Sequence, residues 1–407
     1  MLSIGAQSGL LWARDGFVLA GIGEAARLRI DRPGGFGSAS AALAGLAASN
    51  DARSDVTGAG TGPVAFASLP FHPDQPGELI VPRVVLGTDG SGRHWATLTD
   101  AEGDLPESTD DLATAAAGAV AATLDAASNE PGQPTSYDLR SPLSPETWRD
   151  DVVGAAVARI ERGELDKAVM ARELVLNTDR PLSAAAVVQR LAAVFPSAAL
   201  FLVDGFVGAS PELLVSRDGD VVRAHPLAGT AARSSDPAVD HRQTAALLSS
   251  EKDRWEHRIT IDWLLEELLP FCSYVDAEPE PSIVTMANVH HLGTLVEGRL
   301  SSPAAPVLEL VAALHPTPAV GGRPAKAALA LIDELEQAER GRYAGPTGWV
   351  DGNGNGQFAV AIRSAQLNGT ETRLFAGVGV VADSDPTAEL AETRAKFRAM
   401  LGALIVP

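Results

Sequence analysis

A chain of 407 residues with 45% hydrophobic and 21% charged residues is long enough for one large or two ordinary domains and can bury a substantial core. Its 32 basic against 52 acidic residues leave a net charge of −20, which repels nucleic acid and anionic lipid and argues against both as partners. No apolar run approaches the roughly 20 residues of a membrane span, and a lone cysteine, Cys272, excludes an internal disulfide and a thiolate zinc cluster.

The opening residues, MLSIGAQSGLLWARDGF, lack the basic start, apolar stretch and small-residue cleavage site of a secretory signal, so the expectation is a cytoplasmic enzyme. Up to about Leu98, short apolar runs such as GPVAFASLPF and ELIVPRVVLG are broken by Gly and Pro, the pattern of strands joined by loops. From about Asp100 to Pro145 the chain turns acidic and rich in Ser, Pro and small residues. This stretch reads as a connector carrying one Ala-rich helix, ATAAAGAVAATLDAA. It divides a variable amino-terminal part, residues 1–140, expected to pack into the same body, from residues 141–407.

The second part is more patterned. SPETWRDDVVGAAVARIERGEL places Trp148, Val152, Val153, Ala156 and Ile160 on one helical face behind the capping residue Ser144. The strand KAVMARELVLN follows, then a meander turning at Asp218, Gly219 and Asp220. One long helix is expected from about Asp240 to Leu269. Two further Asn-Gly turns separate strand-like runs between Thr347 and Val381, and a last helix is capped by Asp385 with Pro386 at its first position. Antiparallel runs interrupted by long helices predict an α+β fold, a large two-sheet core with helices packed outside.

Several residues are chemically suggestive. Glu389, Glu392 and Lys396 are spaced three and four apart, hence on one helical face, as are Asp253 and Glu256. Either set is equally a solvated surface, but hard divalent cations take one or two carboxylates, and two such faces make a site if they converge. Gly377 and Gly379 in AGVGVV, upstream of the last helix, could bring backbone N–H groups to an anion or simply admit a neighbouring chain. The DGNGNG loop reads as a hairpin turn, because no phosphate-binding helix follows it. Lys167 at the start of an apolar run is either a desolvated base or an exposed strand-end charge. Glu212 between apolar neighbours is either an acid kept protonated by burial or a strand-edge glutamate. His291 can orient or protonate a substrate, or can be a core histidine. Local reading thus yields an acid, a base and a metal set without a reaction.

Ten segments together resemble one family. DKAVMAR, GASPELL, HPLAGTAAR, SSEKDRWEHR, ANVHHLGTLVEG, LHPTPAVGG, ERGRYAGPTGW, GQFAVAIR, LFAGVGVV and SDPTAELAETRAKF are similar, in order, to the chorismate-utilising enzymes and among them to the isochorismate synthases. The resemblance implies the chorismate-binding fold shared with anthranilate synthase component I. Ammonia-using members usually carry Gln at the position of Lys167, and the aminodeoxychorismate enzymes carry a nucleophilic Lys where this chain has Ala228. Water is therefore the implied nucleophile, and no glutaminase subunit is expected. Salicylate synthase, which also eliminates pyruvate, is the near alternative, against which Ala319 speaks; a non-catalytic anion-binding relative is the remote one.

As the resemblance has it, Lys167 is the general base towards water and Glu212 the general acid towards the departing ring hydroxyl of chorismate. Glu256 and Glu392 hold Mg²⁺, with Asp253 and Glu389 around them. Gly377, Gly379 and Lys396 meet the ring carboxylate, Tyr343 and Arg363 clamp the enolpyruvyl carboxylate, and Thr230, His291 and Ala319 line the pocket. The product would feed menaquinone or siderophore biosynthesis. The chain departs from the family pattern at Gln357, where Glu is commoner, at the extra His290, and at Gly321 in place of Cys.

Overall fold

In the computed structural model, residues 1–31, 35–48, 54–100, 105, 108–127, 133–286 and 289–405 are described. Two large antiparallel sheets dominate. The first runs Gly322–Arg323, Lys167–Thr178, Glu371–Val380, Ser364–Asn368, Phe206–Ser210, Ala199–Val203, Leu10–Arg14, Phe17–Ile22, Val84–Thr88 and His94–Leu98, with Tyr137–Arg140 also on Lys167–Thr178. The second runs Cys272–Ala277, Val296–Leu300, Val221–His225, Leu213–Asp218, Gly356–Val360, Pro346–Asp351, Val64–Ser68, Gly77–Val81 and Ala26–Ile30. Strands from the first hundred residues lie inside both sheets: Leu10–Arg14 pairs with Ala199–Val203, and Val64–Ser68 with Pro346–Asp351.

Side chains alternate across each strand, so each sheet has an inner and an outer face. Trp12, Leu19 and Phe201 of the first sheet meet Val64, Phe66 and Trp349 of the second in one buried cluster between the sheets. Full burial of such side chains contributes about 1.5–3 kcal/mol each. The outer face of the first sheet is covered by helices Ala184–Val194 and Pro386–Leu404 through Leu191, Phe397 and Met400. Helices Gly35–Ala47, Glu251–Leu268 and Val307–Leu314 bury Leu43, Leu264 and Leu310 in a further cluster.

Three features differ from the sequence reading. A small third sheet, Leu227–Ala232, Val289–Gly293 and Ser282–Thr285, stands beside the two large ones. The long helix from about Asp240 is two helices, Pro237–Ser249 and Glu251–Leu268. Ser250 separates them in an extended conformation, and its side chain accepts from the Asp253 N–H, capping the second helix. The helix after Ser144 bears the expected buried face but widens to a π-helical turn over Trp148–Val153, where the Trp148 indole N–H donates to the Ala171 carbonyl. Of the stretch read as a connector, residues 101–104, 106–107 and 128–132 lie outside the described residues. Its helix, Thr109–Ala127, is no free linker, because Ala116 packs with Ile22 and Val84 of the first sheet.

Candidate active site

Fourteen residues named from the sequence, Lys167, Glu212, Thr230, Asp253, Glu256, His291, Ala319, Tyr343, Arg363, Gly377, Gly379, Glu389, Glu392 and Lys396, line one cavity of about 290 Å³. That volume lies near the lower end of small-molecule sites. Strands Lys167–Thr178 and Glu371–Val380 form one wall, with Gly379 opposite Val169 and Gly377 opposite Ala171. The start of helix Glu251–Leu268, freed from the preceding helix by Ser250, supplies Asp253 and Glu256; the last helix supplies Glu389, Glu392 and Lys396.

Lys167 is 1% exposed, which removes its reading as a strand-end charge. Its ammonium lies 2.6 Å from Glu256 Oε1. Glu212, 3% exposed, sits between strands Phe206–Ser210 and Leu213–Asp218, and its Oε1 has no hydrogen-bond partner among the described residues. Burial pushes its carboxyl up to about 8 against the pull of Lys167, the Leu227 N–H, Arg363 and Lys396. Glu212 is therefore an acid at neutral pH, within reach of a lysine's field in the same cavity.

On the last helix, Glu392 Oε1 lies 2.6 Å from the Lys396 ammonium, which also donates to the Gly377 carbonyl at 2.8 Å. Burial pushes the Glu392 carboxyl up, but the charge and hydrogen bond of Lys396 outweigh it and leave it below its ordinary range. Glu389 is raised to about 7 by burial and by the neighbouring Glu392. No group of three or more His, Cys, Asp or Glu side chains is gathered as a metal site among the described residues. The donor chemistry nevertheless suits a hard cation: carboxylates from two helices share one cavity, and two of them crowd each other. Glu256 and Glu392 each have a lysine as counter-ion here, so each is a carboxylate poised beside positive charge.

His291 is buried, and burial with the Arg363 charge lowers it to about 3. The Gly229 carbonyl 3.0 Å from Nδ1 must receive a proton, and Nε2 then accepts from the Arg363 guanidinium at 3.5 Å. A neutral His291 therefore orients Arg363 and is unsuited to protonating a substrate. The Thr230 hydroxyl lies 3.3 Å from the same Nδ1. Arg363 itself has a left-handed φ of 53°, a conformation costly for a long side chain and characteristic of functional positions. The glycines serve close approach: a Cβ on Gly379 would lie 2.6 Å from Glu256 Oε1, and one on Gly377 3.1 Å from the Tyr343 hydroxyl.

Sequence reading missed Lys252, Gly229 and Arg340 in the lining. Lys252 precedes Asp253 in a segment already singled out, and its charge acts on Glu389 in the same lining. Arg340 is closed off by a bidentate pair with Glu336, Nε to Oε2 at 2.8 Å and an outer nitrogen to Oε1 at 2.6 Å. Two of the departures lie away from the chemistry, whereas the Gly321 carbonyl accepts from the N–H of Val169 in the cavity wall at 2.9 Å. Gln357 accepts from the Trp12 indole at 3.1 Å, and His290 bridges Asp240 and Thr285 at 3.0 Å each. Residues 287 and 288, at the start of the segment containing His291, lie outside the described residues.

The profile of the family described as chorismate binding enzyme matches residues 5–405. A putative isochorismate synthase MenF of Mycobacterium tuberculosis is 39% identical over 361 residues, 85% of this chain and 87% of the relative. Isochorismate synthase EntC of Escherichia coli is 33% identical over 83% of this chain and 80% of its own length. Among solved structures, a putative 2,3-dihydroxybenzoate-specific isochorismate synthase, DhbC of Bacillus anthracis, superposes with a TM-score of 0.80 at 30% identity, covering 98% of this chain and 96% of that one. Anthranilate synthase component I of Streptococcus pneumoniae, 21% identical with a TM-score of 0.76 over 95% of this chain and 92% of that one, shares the fold.

Proposed function

The chain belongs to the chorismate-binding enzyme family, and on that premise we propose that it is an isochorismate synthase, an isomerase that converts chorismate to isochorismate. The observation that carries the reading is the placement of Lys167 and Glu212, both buried, in the lining of one cavity, with Glu212 held as an acid.

Lys167, once neutral, takes a proton from water as the water oxygen bonds to the ring carbon beside the carboxylate-bearing one. Both conjugated ring double bonds shift by one position, the carbon–oxygen bond to the departing hydroxyl breaks at the far end of the diene, and Glu212 delivers the proton that lets it leave as water. One water enters and one leaves, so the product is an isomer. Arg363, steadied by His291, and Tyr343 hold the enolpyruvyl carboxylate, the guanidinium with two parallel hydrogen bonds. Lys396 and the backbone at Gly377 and Gly379 receive the ring carboxylate. Glu256 and Glu392 would hold Mg²⁺, with Asp253 and Glu389 beside them. When bound, the ion neutralises the ring carboxylate in a chain whose net charge opposes a dianion. Water as nucleophile dispenses with a glutaminase subunit. Solved relatives are named as 2,3-dihydroxybenzoate-specific and menaquinone-specific isochorismate synthases, and the product here would feed menaquinone or siderophore biosynthesis.

Incubating purified protein with chorismate, with and without Mg²⁺, and separating the products tests the reading. Isochorismate formed with Mg²⁺, lost on chelation with EDTA and restored by added Mg²⁺, is the expected result. Salicylate with pyruvate as the main products would instead identify a lyase, and unchanged chorismate would remove the catalytic reading.

A further inference from the structure

Tyr343 stands between two cavities. Its hydroxyl lies against Gly377 in the catalytic cleft, while its ring stacks on Phe375, 5.3 Å away at 23°, in the wall of a second cavity of about 570 Å³. The second cavity is nearly twice the size of the first and has no part in the chemistry above.

Its character is specific. The Arg373 guanidinium lies 5.4 Å from the Phe375 ring centroid, and Arg373 and Arg342 are both partly open to solvent. Arg373 donates through Nε to Glu173 and through one outer nitrogen to the Glu339 carbonyl at 3.3 Å; no partner is recorded for its other outer nitrogen among the described residues. Arg342 donates to the Val203 and Asp204 carbonyls at 3.0 and 3.2 Å and pairs with the Asp204 carboxylate at 3.3 Å, leaving Nε. Arg340, shared with the catalytic cleft and buried, has every nitrogen engaged, by Glu336 and by the Val320 and Val169 carbonyls, and contributes mainly charge. Gln366 adds a side-chain amide to the wall. Because Glu173, Asp204 and Glu336 balance the three arginines, a polyphosphate finds no excess of positive charge here. A singly charged planar acid does fit: its ring extends the Tyr343–Phe375 stack and its carboxylate takes the remaining guanidinium hydrogens.

We propose that this second cavity is a binding site for an aromatic carboxylate of one or two rings, and that its occupant, by packing on Phe375 and Tyr343, controls the adjacent catalytic cleft. The site is distinct from the chorismate cleft, and its control function rests on the isomerase reading, whereas its existence does not.

The probe is 2-naphthoate, titrated calorimetrically into the full chain and, separately, added to turnover assays at several chorismate concentrations. The expected result is binding at a site that chorismate does not compete for, with kcat lowered at saturating chorismate. The paired change Glu173→Gln with Arg373→Met, which leaves no buried carboxylate without its partner, and separately Arg342→Gln, should each weaken 2-naphthoate about tenfold or more, the worth of one charge-assisted hydrogen bond. Both should keep kcat and KM near wild type without the probe. Absence of binding at millimolar 2-naphthoate, binding unchanged in both variants, or inhibition that is purely competitive would overturn the proposal. Calorimetry reads the site even if chorismate is not turned over, so failure of the isomerase reading and failure of the site are told apart.

Discussion

A carboxyl with an unsatisfied oxygen in the protein interior is tolerated as an acid and costly as an anion, and Glu212 is such a group. Its ordinary value of 4.5 governs the unfolded chain and about 8 the folded one. Between these values the unfolded state has lost the proton that the folded state keeps, so this residue lowers stability progressively as pH rises from about 5 to 8 and adds nothing further above. Glu212→Gln should therefore gain stability relative to wild type across that window, reaching about 2 kcal/mol at pH 8 once the buried amide is allowed for, as read by denaturant melts at pH 5 and 8. Turnover of the same variant should fall roughly 10²–10⁴-fold, the usual worth of a general acid. Wild-type activity should decline above pH 8 as the proton is lost. Lys167→Ala should lose turnover to a similar extent while its circular dichroism stays native; a collapsed spectrum would make this lysine a structural counter-ion of Glu256 instead.

At the scale of elements, the break at Ser250 decides the site. A continuous helix through residue 250 would carry Asp253 and Glu256 in the phase of the preceding helix; the cap restarts the phase and brings both to the cavity. Ser250→Ala should cost about 1 kcal/mol in thermal or denaturant melts and raise the Mg²⁺ concentration needed for half-maximal activity. Gly379→Ala drives a methyl into Glu256 Oε1 and Lys167 Cε, at 2.6 and 3.1 Å, and should lower kcat/KM at least tenfold with little change in fold. Elements with local signals were legible beforehand: the Asp385–Pro386 helix start, the Asn-Gly hairpins and the strand from Lys167. Ser250, with Asp253 three residues on, carried an equally local capping signal that helical periodicity on both sides concealed. The π-helical turn at Trp148 had no local signal, because its widening answers to the packing of Trp148 against Ala171.

At the scale of the molecule, the site exists because distant segments meet. Residues 167, 256, 291 and 392 come from separate strands and helices and residues 212 and 363 from the links between strands, and sequence spacing does not show that these places converge. Resemblance in ten ordered segments supplied that convergence. The second cavity draws Arg340 and Arg342 from a recognised segment but Arg373 from outside any, and it stayed invisible until the strands were paired. The charge of −20 acts over the whole surface: raising salt from low to physiological concentration should lower KM for chorismate, as measured at fixed pH and Mg²⁺, because repulsion of a dianion is screened within roughly 10 Å. The central claim is that Lys167 delivers a solvent oxygen to one face of a ring whose own hydroxyl departs with a proton from Glu212. Turnover in oxygen-18 water followed by mass spectrometry of the isochorismate tests it most directly. One solvent oxygen in the product's new ring hydroxyl is predicted, and isochorismate that retains the original oxygen would contradict it.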